Sequence, residues 1–328
     1  FSATTGRSVV LDLSVSGPQQ VNANLTLEIG GDGEIENLIG GSRDDFLGGN
    51  EFGQNLYGGP GADELKGRGG DDYLDGGPGN DLLDGGSGND YIEEQDNTDF
   101  YLSDTALERA DGEVDQLVSI ELAILRGGTS LNIFDLTGWS GDAVLDGTGQ
   151  GDTTDRLTDR FVMTANADFT VTDLGPNDVR GTLSTGAVID LLRIERVFLT
   201  GGSGDNILDA SAVTLDAGGQ VRATFRLTGG EGDDVLRGGP GGDALYGGGG
   251  DDVLSGGRGS DLIDGGAGMD ELVEERNAES FTLRPNELLI VEGGRTEADV
   301  LIGLEVFNLT GGAGSNQFII PGLPVGEI

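Results

Sequence analysis

Ten aspartates recur at steps of nine or eighteen residues: Asp45, Asp63, Asp72, Asp81 and Asp90 in one stretch, and Asp234, Asp243, Asp252, Asp261 and Asp270 in another. Each holds the sixth place of a nonapeptide that opens with glycine and carries Leu or Ile at its eighth place. The first array reads GGSRDDFLG from Gly40, then GGPGADELK, GRGGDDYLD, GGPGNDLLD and GGSGNDYIE from Gly58 to Glu93. Between them GNEFGQNLY from Gly49 is a poorer copy, and GDGEIENLI from Gly31 is degenerate. The second array reads GGEGDDVLR, GGPGGDALY, GGGGDDVLS, GGRGSDLID and GGAGMDELV from Gly229 to Val273. Carboxylates on a glycine-rich backbone offer hard oxygen ligands. A merely solvated acidic face would not fix an aliphatic residue two places after each aspartate.

Other chemistry is largely excluded. The chain has neither histidine nor cysteine, which removes disulfides, Cys/His zinc sites, thiol nucleophiles, imidazole bases, the Ser-His-Asp arrangement and HExxH. GxSxG does not occur, and the sole lysine, Lys66, precedes Gly67 inside a repeat, so there is no phosphate-binding Walker loop. With 59 acidic residues, a glycosidase-type carboxylate pair has no specificity as a signal. The chain is therefore expected not to be an enzyme.

The 328 residues include 63 glycines and carry a formal net charge of −41. That sign excludes a basic nucleic-acid-binding face. Only 35% of residues are hydrophobic and 5% aromatic, thin for a large core, and the glycines add backbone entropy that folding must overcome. Something besides apolar burial must hold the chain. No run of eighteen apolar residues exists, so no membrane insertion is expected. The start at Phe1, without methionine or leader, reads as a processed form or a piece of something longer.

The nonapeptides resemble the RTX repeat, the hemolysin-type calcium-binding motif GGxGxDxUx. The resemblance implies an all-β fold: parallel β-roll or β-solenoid segments with strand-rich connector modules. In the family fold six residues make a turn, three make a short strand, and two nonapeptides complete one coil. Leu47, Leu56, Leu65, Leu74, Leu83 and Ile92 would then form one inward ladder set, and Leu236, Leu245, Leu254, Ile263 and Leu272 the other. Asp45 would stack over Asp63 and Asp81, and Asp72 over Asp90 on the opposite edge. Unpaired, such carboxylates repel; a Ca²⁺ ion between successive turns reverses the sign, since it accepts six to eight oxygens in flexible geometry, whereas Mg²⁺ prefers a stricter octahedron.

By the same resemblance each ion takes carbonyls of positions two and four with Asp six of one turn, and carbonyls of positions one and three with Asp six of the turn eighteen residues on. In the first array this joins Gly41, Arg43 and Asp45 to Gly58, Pro60 and Asp63. It likewise joins Gly59, Gly61 and Asp63 to Gly76, Pro78 and Asp81, and Arg68, Gly70 and Asp72 to Gly85, Ser87 and Asp90. In the second array Gly230, Gly232 and Asp234 meet Gly247, Gly249 and Asp252, while Gly248, Gly250 and Asp252 meet Gly265, Ala267 and Asp270. Gly239, Gly241 and Asp243 meet Gly256, Arg258 and Asp261. Six ions would bring the charge from −41 to about −29. The frame also runs past each array, with Asp99 and Glu279 at position six and Tyr101 and Phe281 at position eight, read as end-coils plugged by an aromatic. Equally open is that Glu93, Glu94, Glu274 and Glu275 simply blunt an exposed edge.

A second internal similarity joins DQLVSIELAILRGGTSLNIFD from Asp115, IDLLRIERVFLTGGSGDNILD from Ile189 and DVLIGLEVFNLTGGAGSNQFI from Asp299. Each ends in a unit with asparagine at position six, Asn132, Asn206 or Asn316, read as a structural rung rather than a metal site. Apolar and polar residues alternate at Val9, Leu11, Leu13 and Val15, at Phe169 and Val171, and at Phe281 and Leu283, which is strand periodicity. Trp139, the only tryptophan, is assigned to core or cap. The expected organisation is a strand-rich cap over 1–39, a first array over 40–102, a connector over 103–228, a second array over 229–282 and a terminal connector over 283–328. Such a chain is expected to be a secreted, extracellular or cell-surface bacterial module of a surface layer, fibre, adhesin or matrix protein. It would fold on Ca²⁺ and associate with itself or with neighbouring modules. The alternative is the non-catalytic RTX region of an enzyme or toxin exported by type I secretion.

Overall fold

The structure, a computed structural model, describes residues 8–15, 17–22, 25–29, 35–147, 159–175, 178–215, 219, 221, 223–313 and 316–320. Of the degenerate repeat from Gly31, residues 31–34 lie outside them. Every element among the described residues is a strand, and the large sheets are dominated by parallel pairs. Three-residue strands such as Tyr73–Asp75 and Val253–Ser255 bury only their middle residue, the eighth of the nonapeptide. Period-two alternation thus turns one aliphatic side chain per repeat inward.

Two compact units divide the chain, 1–159 and 160–328. The stretch read as one connector, 103–228, is split between them, because strands on either side of the division extend the stacks of different arrays.

In the first unit one parallel stack runs through Val10–Asp12, Phe46–Gly48, Glu64–Gly69, Leu82–Ser87 and Val114–Val118. The other runs through Asn37–Ile39, Asn55–Tyr57, Tyr73–Asp75, Tyr91–Gln95, Leu122–Arg126 and Asp142–Asp146. Leu47 lies beside Leu65 and Leu83, and Leu38 beside Leu56, Leu74 and Ile92, all at most 1% exposed. The second unit repeats the plan, with Leu227 beside Leu245 and Ile263, and Leu208 beside Leu236, Leu254 and Leu272.

Each array is followed by an antiparallel insertion. Phe100–Ser103 pairs with Ala106–Arg109, which pairs with Val114–Val118, and that last strand rejoins the stack with Leu117 beside Leu83. Ser280–Arg284, Glu287–Glu292 and Arg295–Ile302 do the same, returning Leu301 beside Ile263. Trp139 is 3% exposed and its indole N–H donates to the Asp142 carbonyl at 3.2 Å, a core position.

The turns between strands require glycine for two separate reasons. At position four, Gly79 has φ +151°, and a Cβ there would lie 1.6 Å from the Gly61 carbonyl oxygen of the coil before. At position one, Gly58 has no such φ, but a Cβ would lie 2.5 Å from Asp63 Oδ2 and 2.6 Å from the Gly76 carbonyl oxygen. The first excludes side chains by conformation and contact; the second keeps open a space lined by oxygen.

Candidate metal sites

Stacking puts each position-six aspartate directly under its counterpart one coil on, and its two oxygens then have different fates. The main-chain N–H of Asp45 donates to Asp63 Oδ1 at 2.7 Å, that of Asp63 to Asp81 Oδ1 at 2.7 Å, and that of Asp72 to Asp90 Oδ1 at 2.8 Å. The second array repeats the bond from Asp234 to Asp252, Asp243 to Asp261 and Asp252 to Asp270 at 2.8 to 2.9 Å. Oδ1 therefore ties coil to coil. Oδ2 of Asp63, Asp72, Asp81, Asp90, Asp234, Asp252, Asp261 and Asp270 is buried and accepts no hydrogen bond. An oxygen left in that condition is expensive, and more so when charged.

These oxygens share their surroundings with backbone carbonyls. A Cβ on Gly247 would meet Asp252 Oδ2 at 2.2 Å and the Gly265 carbonyl oxygen at 2.3 Å; one on Gly76 would meet Asp81 Oδ2 at 2.3 Å. The carbonyl oxygens of Gly59 and Gly248 lie 2.6 and 2.2 Å from the Cβ positions of Gly77 and Gly266 in the next coil. Position-three carbonyls of Pro78, Gly249 and Ala267 each accept one N–H from the preceding coil, at 3.0, 2.7 and 2.9 Å, and keep a second lone pair. Among the described residues no three acidic side chains converge on a point. Two aspartates and several carbonyls make a donor set drawn mainly from the backbone, which suits a hard, adaptable cation.

Burial raises these carboxyls. Asp63, Asp81 and Asp252 are pushed up to about 6 and Asp72 to about 7, chiefly by desolvation and then by neighbouring carboxylates. Asp261, facing Asp299, Asp243 and Glu274, reaches about 9. A folded-state value above the unfolded 3.8 means that the folded chain binds more protons. In chelator the stabilisation is therefore complete below about pH 4 and is lost as pH rises through 6 to 7. Circular dichroism in chelator should show more strand at about pH 4.5 than at 7.5; equal spectra would contradict the burial of these groups.

The leading position of each column is built differently. Asp243 Oδ1 accepts from Phe225 N–H at 2.8 Å and Oδ2 from Gly239 N–H at 2.9 Å, and Asp45 likewise engages Val9 and Gly41. Gln54 satisfies itself, accepting from Asn50 N–H at 2.9 Å and donating to Asn50 Oδ1 at 3.0 Å. Asn132 and Asn206 accept from Gly128 and Gly202 N–H at 2.9 and 2.8 Å, and Asn132 donates to the Thr98 carbonyl at 3.0 Å. In Asn316 the amide donates to the Gly312 carbonyl at 2.8 Å. In these turns the side-chain amide is engaged by hydrogen bonds within its own turn or to the neighbouring coil.

Three expectations about the ends need correction. Tyr101 is 40% exposed, whereas Phe100 is buried and stacks on Phe134 at 5.6 Å, so the phase slips by one where the antiparallel insertion begins. Asp99 accordingly accepts from Ile133 N–H on the following coil, at 2.8 Å, a direction opposite to that of the position-six aspartates. Glu279 is exposed, although Phe281 is buried as expected. Glu94 and Glu274 are not edge charges: Glu94 binds Arg109 at 3.0 Å, and Glu274 is 2% exposed beside Arg276 at 3.5 Å.

The columns also run further than the motif. Asp81 N–H donates to Asp115 Oδ1 at 3.0 Å and Asp261 N–H to Asp299 Oδ1 at 3.1 Å, so Asp115 and Asp299 are the next position-six residues after each insertion. Their shared place at the head of two connector copies was the available signal. At Asp115 a cation already stands: Arg109 Nη2 is 3.2 Å from Oδ2 and 2.9 Å from Glu113, with the guanidinium almost wholly buried.

The RTX calcium-binding nonapeptide repeat family, described as four copies of the repeat, matches residues 57–92, 226–254 and 237–272. The chain carries RTX calcium-binding nonapeptide repeats. The matched segments contain all eight motif aspartates whose Oδ2 atoms lack hydrogen-bond partners. Among solved structures, the extracellular lipase LipA from Serratia marcescens aligns at 19% identity with a TM-score of 0.23, over 80% of this chain and 38% of the lipase chain. The chain thus spans well under half of that lipase's length. A search of curated proteins finds no match.

Proposed function

We propose that this chain is a calcium-folded structural module of a secreted or cell-surface protein, stiffened by ions between its RTX coils and stacked end to end with further copies of the same module. Catalysis is no part of this reading, in keeping with a sequence that lacks histidine and cysteine. Export before folding fits the charge: at low calcium a −41 chain stays expanded, and abundant calcium outside the cell would close it.

The observation that carries the structural role is a coil that no further strand covers among the described residues. In unit 1–159, Leu122–Arg126 is covered by Asp142–Asp146, with Ala123 beside Ala143 and Leu125 beside Leu145, and Phe134 is fully buried. The homologous strand of unit 160–328, Val306–Gly311, ends its sheet among the described residues. Phe307 is 36% exposed and Phe318, the counterpart of Phe134, 38%. Together with Leu309 and Ile320 they line an apolar cavity of about 230 Å³. A parallel edge left unpaired among the described residues, beside an exposed apolar coil, suits the addition of another coil.

Sedimentation velocity in calcium tests this. The parent chain should form end-to-end oligomers, and Phe307→Asp should weaken them at least about tenfold while retaining bound calcium, because one buried charge in an apolar contact costs more than about 1.4 kcal/mol. A parent chain that stays monomeric at every concentration would overturn the structural role and leave the reading as a non-assembling RTX region of a secreted enzyme.

A further inference from the structure

The motif ends at Asp90 and Asp270, yet both are fully buried with Oδ2 unpartnered, as though another coil were still to supply a ligand. The coil that follows each is closed by an abbreviated turn, Ser119-Ile120-Glu121 or Gly303-Leu304-Glu305. Ser119 has φ 50° and Gly303 φ 58°, and this left-handed residue turns its carbonyl back toward the array. A Cβ on Gly85 would lie 2.4 Å from the Ser119 carbonyl oxygen and 2.6 Å from Asp90 Oδ2; one on Gly265 would lie 2.3 Å from the Gly303 carbonyl oxygen and 2.5 Å from Asp270 Oδ2. Within the array the equivalent values at Gly67 are 2.6 Å to the Gly85 carbonyl oxygen and 2.2 Å to Asp72 Oδ2. Ser119 and Gly303 thus reproduce the position-one carbonyl.

Two residues later a glutamate takes the place of the missing aspartate. Glu121 Oε2 accepts Asp90 N–H at 2.9 Å and Glu305 Oε2 accepts Asp270 N–H at 3.0 Å, the same bond that Asp90 and Asp270 accept from Asp72 and Asp252. The turn is shorter than a nonapeptide turn, and the extra methylene of glutamate restores the reach. Each glutamate sets a second carboxylate against a buried aspartate whose Oδ2 has no hydrogen-bond partner. Both glutamates are exposed, which leaves solvent access to the gap.

We propose that each array ends in an additional Ca²⁺ site outside the repeat motif, one held by Asp90, Glu121 and the Ser119 carbonyl, the other by Asp270, Glu305 and the Gly303 carbonyl. The inference rests on the calcium reading of the arrays. Native mass spectrometry of the full chain titrated with Ca²⁺ tests it. Glu121→Gln and Glu305→Gln keep an acceptor for the Asp90 and Asp270 N–H groups, so the coil still closes, and each should saturate with one ion fewer than the parent. Glu121→Lys, which brings its own positive charge to Asp90, provides a second route to the same loss. Glu195 sits in the third copy of this turn, after Arg193 at φ 55°, with no unpartnered buried aspartate oxygen among the described residues of 160–233. Glu195→Gln should leave the count unchanged. Parent-level counts in the Glu121 and Glu305 variants, or an ion lost with Glu195→Gln, would overturn the proposal. A parent chain that binds no calcium would instead sink the reading of the arrays themselves.

Discussion

Removal of calcium at neutral pH is expected to abolish the strand signal of both units, and magnesium is expected not to restore it. The reason lies in the oxygens that the fold buries. Among the described residues the motif copies of each array hold four position-six carboxylate oxygens without a hydrogen-bond partner: Asp63, Asp72, Asp81 and Asp90 in one, Asp234, Asp252, Asp261 and Asp270 in the other. A buried polar atom left unsatisfied costs about 1–3 kcal/mol, more if charged. Four of them match the whole folding stability of an ordinary domain, about 5–15 kcal/mol. The apolar ladder cannot absorb this, being one side chain deep per repeat. With the ion present those same oxygens become ligands, and the column changes from the main liability into the main cohesion. Far-UV circular dichroism during calcium titration, with magnesium as control, measures this. A complete strand spectrum in chelator at about pH 7.5 would show that the coils stand without metal and would remove the physical basis for a calcium-driven fold.

The parts of this fold that could be read from the sequence are those in which nothing interrupts the count of nine. Leu65 must lie beside Leu83, and Asp63 under Asp81, because both pairs are one coil apart and no residue can be added without turning the ladder inside out. Where the antiparallel strands enter, that constraint disappears. Leu83 pairs with Leu117 and Ile263 with Leu301, thirty-four and thirty-eight residues on instead of eighteen. A hairpin can have any length provided its last strand returns in register, so spacing carries no information there and only residue type persists, as at Asp115 and Asp299. The same interruption moved the buried aromatic from Tyr101 to Phe100.

Charge hid the rest. Among 59 acidic residues, Glu121 and Glu305 look like any surface glutamate. Arg109 and Arg276 look like surface arginines, yet their side chains are 3% and 6% exposed. Arg276 reaches Glu297 at 2.8 Å as well as Glu274. A guanidinium at the end of a carboxylate column supplies, covalently tethered, the positive charge that a bound metal would supply elsewhere. Both kinds of cation answer the same problem of buried acid, and only one is visible as a repeat.

Not all aspartates of a column should matter equally, and in unit 160–328 Asp252 should matter more than Asp243. It stands between Asp234 and Asp270, with its main-chain N–H bonded to Asp270 Oδ1 and its own Oδ1 bonded to Asp234 N–H, so it would serve the ions on both sides. Asp243 stands at the head of its column, both oxygens already hydrogen-bonded, and would serve one ion at most. At free calcium about a hundredfold above Kd each bound ion stabilises by about 2.7 kcal/mol. Asp252→Asn should therefore cost about 5 kcal/mol and lower the calcium-loaded Tm of this unit by roughly 10–20 °C, with two ions lost. Asp243→Asn should lower Tm by no more than about half as much. Asp233→Asn touches only an exposed hydrogen bond from Asp251 N–H, at 2.8 Å, and should leave the ion count intact. Calorimetry in calcium, with ion counting on the same samples, ranks the three. If Asp252→Asn retained every ion, or melted no earlier than Asp243→Asn, successive coils would not share a ligand, and cohesion along the column would have to come from the backbone ladder alone.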